Sequence, residues 1–246
     1  MRTPSLRVIV LSALLALVGA ARAEPALRIA TSHLPPLAIE QSPQRPGALV
    51  EVVAELTRRA GIKARTDFVP WRRALFMSTH FPQTAIFPLT RSPEREAQYR
   101  WLAHLYHEQF VFFALKGTQP LEDVSALRAR RVAILRGSAQ VDWLRRNGYR
   151  RLIETASVEE GLRFLRLGMV DVLFGDLDIT TGSIRASAPD LEIATSAPQN
   201  STTTWLGGSL DLPADYAARF EPALQAMIAD GTYARIMKKY GLSGTP

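Results

Sequence analysis

The chain has 246 residues, 30 basic against 23 acidic, a formal charge of +7, 47% hydrophobic residues and no cysteine. The lack of cysteine excludes a small domain stapled by disulfides, and with only four histidines it leaves little from which to build a metal site. Basic residues fall in scattered pairs, Arg58-Arg59, Arg72-Arg73, Arg130-Arg131 and Lys238-Lys239, without an interleaved aromatic stripe, which argues against nucleic acid as a partner.

Met1 to Arg7 carries Arg2 and Arg7 and no acid, Val8 to Ala20 is almost unbrokenly apolar, and Ala21-Arg22-Ala23 is a small-x-small cleavage pattern. These features predict a secretory signal peptide over residues 1–23 with Glu24 as the first mature residue, since the apolar run is short for a bilayer span. Cleavage would remove Arg2, Arg7 and Arg22 and no acid, lowering the formal charge from +7 to +4. Export without cysteine points to a bacterial periplasm. The remaining length can bury one large core or two of about 100 residues each.

Leu27 to Thr31 reads as a first strand, followed by a long polar, Pro-rich loop from Ser32 to Pro46, and loops of that length tend to be functional. Gly47 to Ala60 repeats apolar residues at helical spacing (Leu49, Val50, Val53, Leu56) and is closed by Gly61. Ile62 to Phe68 alternates as a second strand, Trp71 to Met77 is a short helix and Thr84 to Leu89 a third strand. This βαβαβ series predicts a mostly parallel sheet covered by helices. Gln109 to Lys116 is a β-prone run, Trp101 to Glu108 reads as strand or turn, and Leu121 to Leu127 as a helical turn. A second β/α unit then opens: strand Arg131 to Leu135, a helix starting at Gly137-Ser138-Ala139-Gln140, strand Arg150 to Thr155, and helix Ser157 to Leu167 with a Ser157/Glu160 capping box. Strand Val170 to Phe174 ends at Gly175-Asp176, with helix Leu177 to Ala186 and strand Leu191 to Thr195 after it. Pro198 to Thr204 reads as a polar link of turn formers, Trp205 to Ser209 as a short strand, and Pro213 to Tyr240 as helical with a break at Asp230-Gly231.

The stretch Pro88 to Glu96 joins the third strand to a short turn rich in donors. Pro93 fixes its own φ and disfavours helix at Ser92, so Ser92 is placed to cap a turn starting at Pro93. Arg95 on that turn suits a carboxylate, because a guanidinium fork donates two parallel hydrogen bonds. The plainer alternative is a solvated turn in which Arg95 pairs with Glu94 or Glu96.

Six motifs, in this order and spacing, carry a family resemblance: Leu34-Pro35-Pro36, Pro70-Trp71-Arg72-Arg73-Ala74, Thr90-x-x-Pro93-Glu94-Arg95, Arg131-Val132-Ala133-x-x-x-Gly137-Ser138, Gly168-x-Val170-Asp171-x-x-x-x-Asp176, and Asp230-Gly231-Thr232-Tyr233-x-x-Ile236-x-x-Lys239-Tyr240. Through them the chain resembles the periplasmic solute-binding proteins of bacterial ABC importers, in the polar amino-acid-binding family (family 3) with the type II fold. The resemblance implies two β/α lobes joined by a two-crossover hinge, with lobe one from residues 24–109 and 201–246 and lobe two from residues 110–200. It implies that Arg95 grips a ligand's α-carboxylate with help from the Thr90 hydroxyl, and that Asp176 holds its α-ammonium. Ser138 and Ala139 are implied to add amide donors from lobe two, and Trp71, Leu34 and His33 to stand at the ligand. Asp176 also reads as the N-cap of the helix that follows, and Trp71 equally as a core residue of lobe one. Leu34 and Leu37 stand where the family has a covering aromatic, Pro88 where a Ser is frequent and Ala139 where a Thr is frequent, so the amino-acid preference departs from the family pattern. Arg91 is either a second cleft cation or a solvent-facing residue.

The function expected from this resemblance is periplasmic binding of a small polar solute, an amino acid or related carboxylate, by a monomer that delivers it to an ABC permease, with no cofactor, metal or catalytic residue. Two other classes compete. One is a ligand-sensing or accessory protein acting on a non-transporter receptor. The other is a dehydratase of the same fold using cleft carboxylates, for which Glu108 and Asp142 are acids without a visible partner, and the sequence has no G-x-S-x-G or H-E-x-x-H motif. His104 and His107, three apart, read as surface or half-buried histidines rather than ligands.

Overall fold

The structure is a computed structural model and describes residues 26–242 and 246; the expected signal peptide and its cleavage site lie outside the described residues. The elements are β1 (Leu27–Thr31), α1 (Ala48–Arg59), β2 (Ala64–Phe68), α2 (Trp71–His80), β3 (Thr84–Thr90), β4 (Arg100–Leu115), β5 (Val132–Leu135), α3 (Gln140–Arg146), β6 (Leu152–Thr155), α4 (Val158–Arg166), β7 (Val172–Asp176), α5 (Leu177–Ser187), β8 (Ile193–Thr195), β9 (Asn200–Gly208), α6 (Asp215–Ala229) and α7 (Thr232–Lys239). Short 3-10 turns at Pro93–Arg95 and Val124–Ala129 complete it. The strands form one sheet in the order β2-β1-β3-β9-β4-β7-β5-β6, with β8 added against β4.

At one end β1, β2 and β3 run parallel, and at the other β5, β6 and β7 do so. Each parallel set has helices against it, as expected for β/α alternation. In α1 the residues Leu49, Val52, Val53 and Leu56 recur at helical spacing and are buried, and the helix packs on α6 and α7. All seven residues of β3 are buried, as a central strand covered on both faces requires. In the other half, Phe112, Phe174, Val132, Ile134 and Leu144 form a separate core in which Trp143 stacks on Phe174 at 5.3 Å. Each such fully buried side chain stabilises its lobe by roughly 1.5–3 kcal/mol. Helix α4 starts as predicted: Ser157 Oγ accepts from Glu160 N at 3.1 Å, while the Glu160 carboxylate accepts from Ala156 N at 2.6 Å, one residue further back than in the usual box.

One stretch differs from the sequence reading, and another, read as strand or turn, is strand. Trp101 to Glu108 is continuous strand, part of the 16-residue β4, and the polar link Pro198 to Thr204 is strand from Asn200 onward. The two stretches pair antiparallel with each other from Arg100↔Gly208 to Phe110↔Asn200. Their strand character comes from this pairing across about a hundred residues of sequence, which a local reading of turn formers misses, although Thr202-Thr203-Thr204 is a β-branched run. A smaller shift concerns the helical turn expected at Leu121 to Leu127, which lies at Val124–Ala129 with the Asp123 side chain capping Ser125 N. The paired strands β4 and β9 are the two crossovers that join the halves. Beyond the crossover β4 leaves β9 and pairs with β7 and β8.

The two lobes touch. Arg146 of lobe two bonds Glu94 of lobe one at 3.0 Å. Glycine sets the approach at one contact: a Cβ on Gly182 of α5 would come within 2.4 Å of the Pro35 carbonyl oxygen. Gly182→Ala should therefore hold the lobes apart while leaving lobe two intact, because alanine favours an interior helix position over glycine by about 1 kcal/mol. Small-angle scattering should give a larger radius of gyration than the parent, with an unchanged or raised melting midpoint. An unchanged radius in the presence of ligand would show that this approach is not needed for closure.

Candidate ligand-binding site

The carboxyl ends of β3 and β7 face each other across the crossover strands, and the residues that follow them meet around a cavity of about 70 Å³. One water needs about 10–15 Å³ by this measure, so the cavity has room for several non-hydrogen atoms. From lobe one it is bounded by Leu34, Trp71, Thr90 and Arg95, and from lobe two by Ser138, Ala139, Asp176 and Thr180, with Glu108 and Phe110 of β4 between them.

Arg95 spans the gap. Its Nη1 donates to the Thr90 carbonyl at 3.1 Å within lobe one, and its Nη2 donates to the Gly137 carbonyl at 2.7 Å in lobe two. Gly137 has φ +82°, and a Cβ there would meet Leu75 at 2.8 Å, so this backbone conformation and this approach both favour glycine. Arg95 as a whole is partly buried, yet its head sits among desolvated groups; burial pulls its pKa down, against the charges of Tyr99, Glu108, Glu94 and Asp142. It remains a cation at neutral pH. The alternative pairing with Glu94 or Glu96 is not what the structure has: Glu96 is held by Arg91 through Nε at 2.9 Å and Nη2 at 2.5 Å, and Glu94 by Arg146. Arg91 is thereby directed away from the cavity, with its guanidinium 5.1 Å from the Trp101 ring and 4.8 Å from the Trp205 ring.

Asp176 is buried, and its carboxylate caps α5. Oδ1 accepts from Asp178 N at 3.1 Å and Ile179 N at 2.9 Å, and Oδ2 accepts from Gln109 N at 3.2 Å. Burial first, and then the nearby Glu108, push its pKa well up despite the amide of Ile179. Glu108 is buried too, at 4% exposure, and accepts from Thr90 Oγ1 at 2.9 Å. Its carboxyl is likewise pushed up by burial, with the hydroxyls of Thr204 and Thr90 and the charge of Arg95 pulling the other way. Glu108 and Asp176 therefore titrate as a pair beside one guanidinium. Thr180 adds an unusual feature: its buried Oγ1 has no hydrogen-bond partner, and it lies over Gly175, where a Cβ would come within 2.5 Å of it.

A family model for bacterial extracellular solute-binding proteins, family 3, matches residues 27–243. The chain belongs to this family. No curated protein sequence matches it. Among solved structures, this solute-binding protein is similar to a histidine kinase sensor domain with similarity to periplasmic binding proteins, at TM-score 0.81 and 18% identity over 88% of this chain and 96% of that one. It is similar to an ancestral arginine-binding protein bound to glutamine, at TM-score 0.78 and 16% identity over 88% and 98% of the two chains. It is also similar to the arginine-, lysine-, histidine-binding protein ArtJ of Geobacillus stearothermophilus, at TM-score 0.77 and 15% identity over 87% and 94%. At these identities the likeness establishes the fold, a type II periplasmic binding architecture.

Within that fold the sequence-predicted residues separate into those at the cavity and one outside it. Arg95, Thr90, Trp71, Leu34, Ser138, Ala139 and Asp176 all line it. Trp71 is at the same time part of the lobe-one core with Ala74, Met77 and Tyr99, so wall and core are one position. His33 lies instead in an adjoining depression with Glu40 and Ser157, and its Nδ1 accepts from Glu40 N at 3.1 Å. The Ser138 amide, expected to face ligand, is taken by the Leu135 carbonyl at 3.0 Å, because the chain turns tightly between β5 and α3. Ser92 precedes the turn at Pro93 in extended conformation but gives it no side-chain cap. Thr180 escaped the sequence reading as a site residue, and Glu108 entered it only as an acid of the competing dehydratase reading. The available signal for Glu108 was the alternation Tyr106, Glu108, Phe110, Phe112, which puts an acid on the buried face of a strand. Among the described residues no group of three or more His, Cys, Asp or Glu side chains is placed to hold a metal ion. His104 and His107 meet edge to face at 4.7 Å on β4, with His104 stacked on Trp205.

The raised carboxyl at Glu108 has a signed consequence. The unfolded chain ionises near the ordinary carboxylate pKa of about 4, whereas the folded chain keeps its proton to higher pH, so this contribution to stability is present at low pH and is lost as pH rises through the folded value. Glu108→Gln carries no such loss. In the ligand-free protein its melting midpoint should exceed the parent's by a gap that widens as pH rises above the ordinary carboxylate pKa of about 4, by about 2–4 °C for each kcal/mol. A gap that stays flat with pH would mean that Glu108 titrates as an exposed acid does.

Proposed function

We propose that the chain works in the periplasm as a monomeric receptor for a small polar solute, an amino acid or related carboxylate, held between the lobes and delivered to an ABC permease. The observation that supports this best is that a guanidinium from lobe one and a carboxylate from lobe two line one cavity between the lobes. Arg95 would give its fork to a carboxylate, and Asp176 would accept from an α-ammonium while still capping α5. The Thr90 hydroxyl, the backbone around Ser138 and Ala139, and the face of Trp71 would complete the shell. We place the lobe boundaries near residues 109/110 and 200/201, inside the two crossover strands. Contacts made to both lobes only when they are closed would shift the population toward closure, and a partner would read the closed form. The family matched is one of binding proteins, and the scheme needs no cofactor, metal or catalytic residue. The similarity to a kinase sensor domain favours one second reading, in which the closed form is read by a receptor rather than a permease. An adjacent permease and ATPase in the genome would support import, and an adjacent kinase would support sensing.

The site assignment is tested by calorimetric titration with the ligand identified by native mass measurement of the purified protein. Arg95→Ala should lose on the order of 3–5 kcal/mol for any carboxylate ligand, roughly two to four decades in affinity. Asp176→Ala should cost a comparable amount only if the ligand carries an α-ammonium, and should also lower the melting midpoint through the lost cap of about 1 kcal/mol. An unaltered affinity in Arg95→Ala would remove Arg95 from the site.

A further inference from the structure

The cavity holds more acid than the pairing of one arginine with one aspartate needs. Glu108 stands on β4, the strand shared by both lobes, and is 4% exposed; Asp176 reaches the amide of Gln109, the very next residue. Two carboxylates thus line one cavity with Arg95. The other ionisable groups around them do not supply a second cation. Tyr106 is committed to Asp178 as a donor, Asp178 is itself an acid, and Tyr99, Glu94 and Asp142 line a neighbouring depression that shares Arg95 with the cavity. With both acids ionised the empty cavity carries one uncompensated negative charge, which burial makes costly. A zwitterion adds no net charge and leaves that imbalance in place.

We propose that Glu108 is the residue that determines specificity in this cleft, and that it selects an amino acid with a second cationic nitrogen on a short side chain. This rests on the reading of the cleft as an amino-acid site. Such a ligand brings two cations and one anion to a site of one cation and two anions, so the closed complex is neutral with every acid ionised. Its second nitrogen would donate to Glu108 and to the Thr180 hydroxyl, which is buried at the cavity wall without a partner. Trp71, Phe110 and Phe174 also line the cavity, so apolar surface that suits a carbon stem borders the space. The small cavity favours a stem of two or three carbons.

The charge argument also fixes the proton count. The empty cavity is neutral when the acid pair keeps one proton, and a ligand with an extra cation displaces it, whereas a zwitterion does not. The test titrates the full-length purified protein with 2,4-diaminobutyrate, ornithine, alanine, serine and aspartate at about pH 6, in two buffers of different ionisation enthalpy. The diamino acids should bind at least tenfold more tightly than alanine and release about one proton. Glu108→Gln should invert that preference and abolish the proton release. Alanine or serine binding as tightly as 2,4-diaminobutyrate, with no proton released, would overturn the role of Glu108 while leaving the amino-acid cleft standing. No response to any of the five would overturn the cleft reading and this inference with it. Should Glu108→Gln fail to fold, the proton count and the preference of the parent protein decide the matter by themselves.

Discussion

Closing two lobes over a polar ligand means taking fixed charges out of water, and the bond from Arg95 Nη2 to the Gly137 carbonyl is where this protein meets that constraint. A guanidinium stripped of water needs acceptors, and backbone carbonyls on both sides of the cleft supply them. The same bond draws the turn after β3 toward the turn after β5, so satisfying the cation and closing the cleft are one event. Gly137 favours it, by presenting its carbonyl from a backbone conformation with positive φ, where a Cβ would also crowd the Leu75 methyl.

The crossover strands give the cavity its asymmetry. A hinge made of two paired strands carries side chains of its own, and one face of β4 looks into the cleft. Glu108 reaches the cavity from that face, at the lobe-one end of the crossover, which is why it bonds Thr90 and stands beside Asp176 of the other lobe. Charge placed on the hinge stays close to both walls, whereas charge on a lobe leaves when the lobe swings away.

Much of this was legible beforehand, for identifiable reasons. The β/α alternation, the buried faces of α1 and α4 and the Ser157 cap follow from short-range periodicity and capping chemistry, which act within a few residues. The place of Arg95, Thr90 and Asp176 at the cavity was legible because they stand at or just past strand carboxyl ends, where polar residues interrupt apolar runs. What was not legible depends on partners distant in sequence. The strand character of residues 101–108 and 200–204 exists through their mutual pairing, and Glu108 could be placed in the cavity only once that pairing fixed which face of β4 is covered. The bonds that engage His33 with Glu40 and the Ser138 amide with Leu135 were not legible for a related reason, since the turns that make them are set by loop closure.

The two acids of the cavity differ in what else depends on them. Asp176 ties off the first turn of α5, so any replacement there disturbs a helix as well as a ligand. Glu108 accepts from a threonine and ends no helix. For a lineage that changes its diet, position 108 is the freer of the two: a single substitution there can retune the charge of the solute that is accepted while the fold goes on being inherited unaltered, so solute preference can diversify in this architecture faster than its shape.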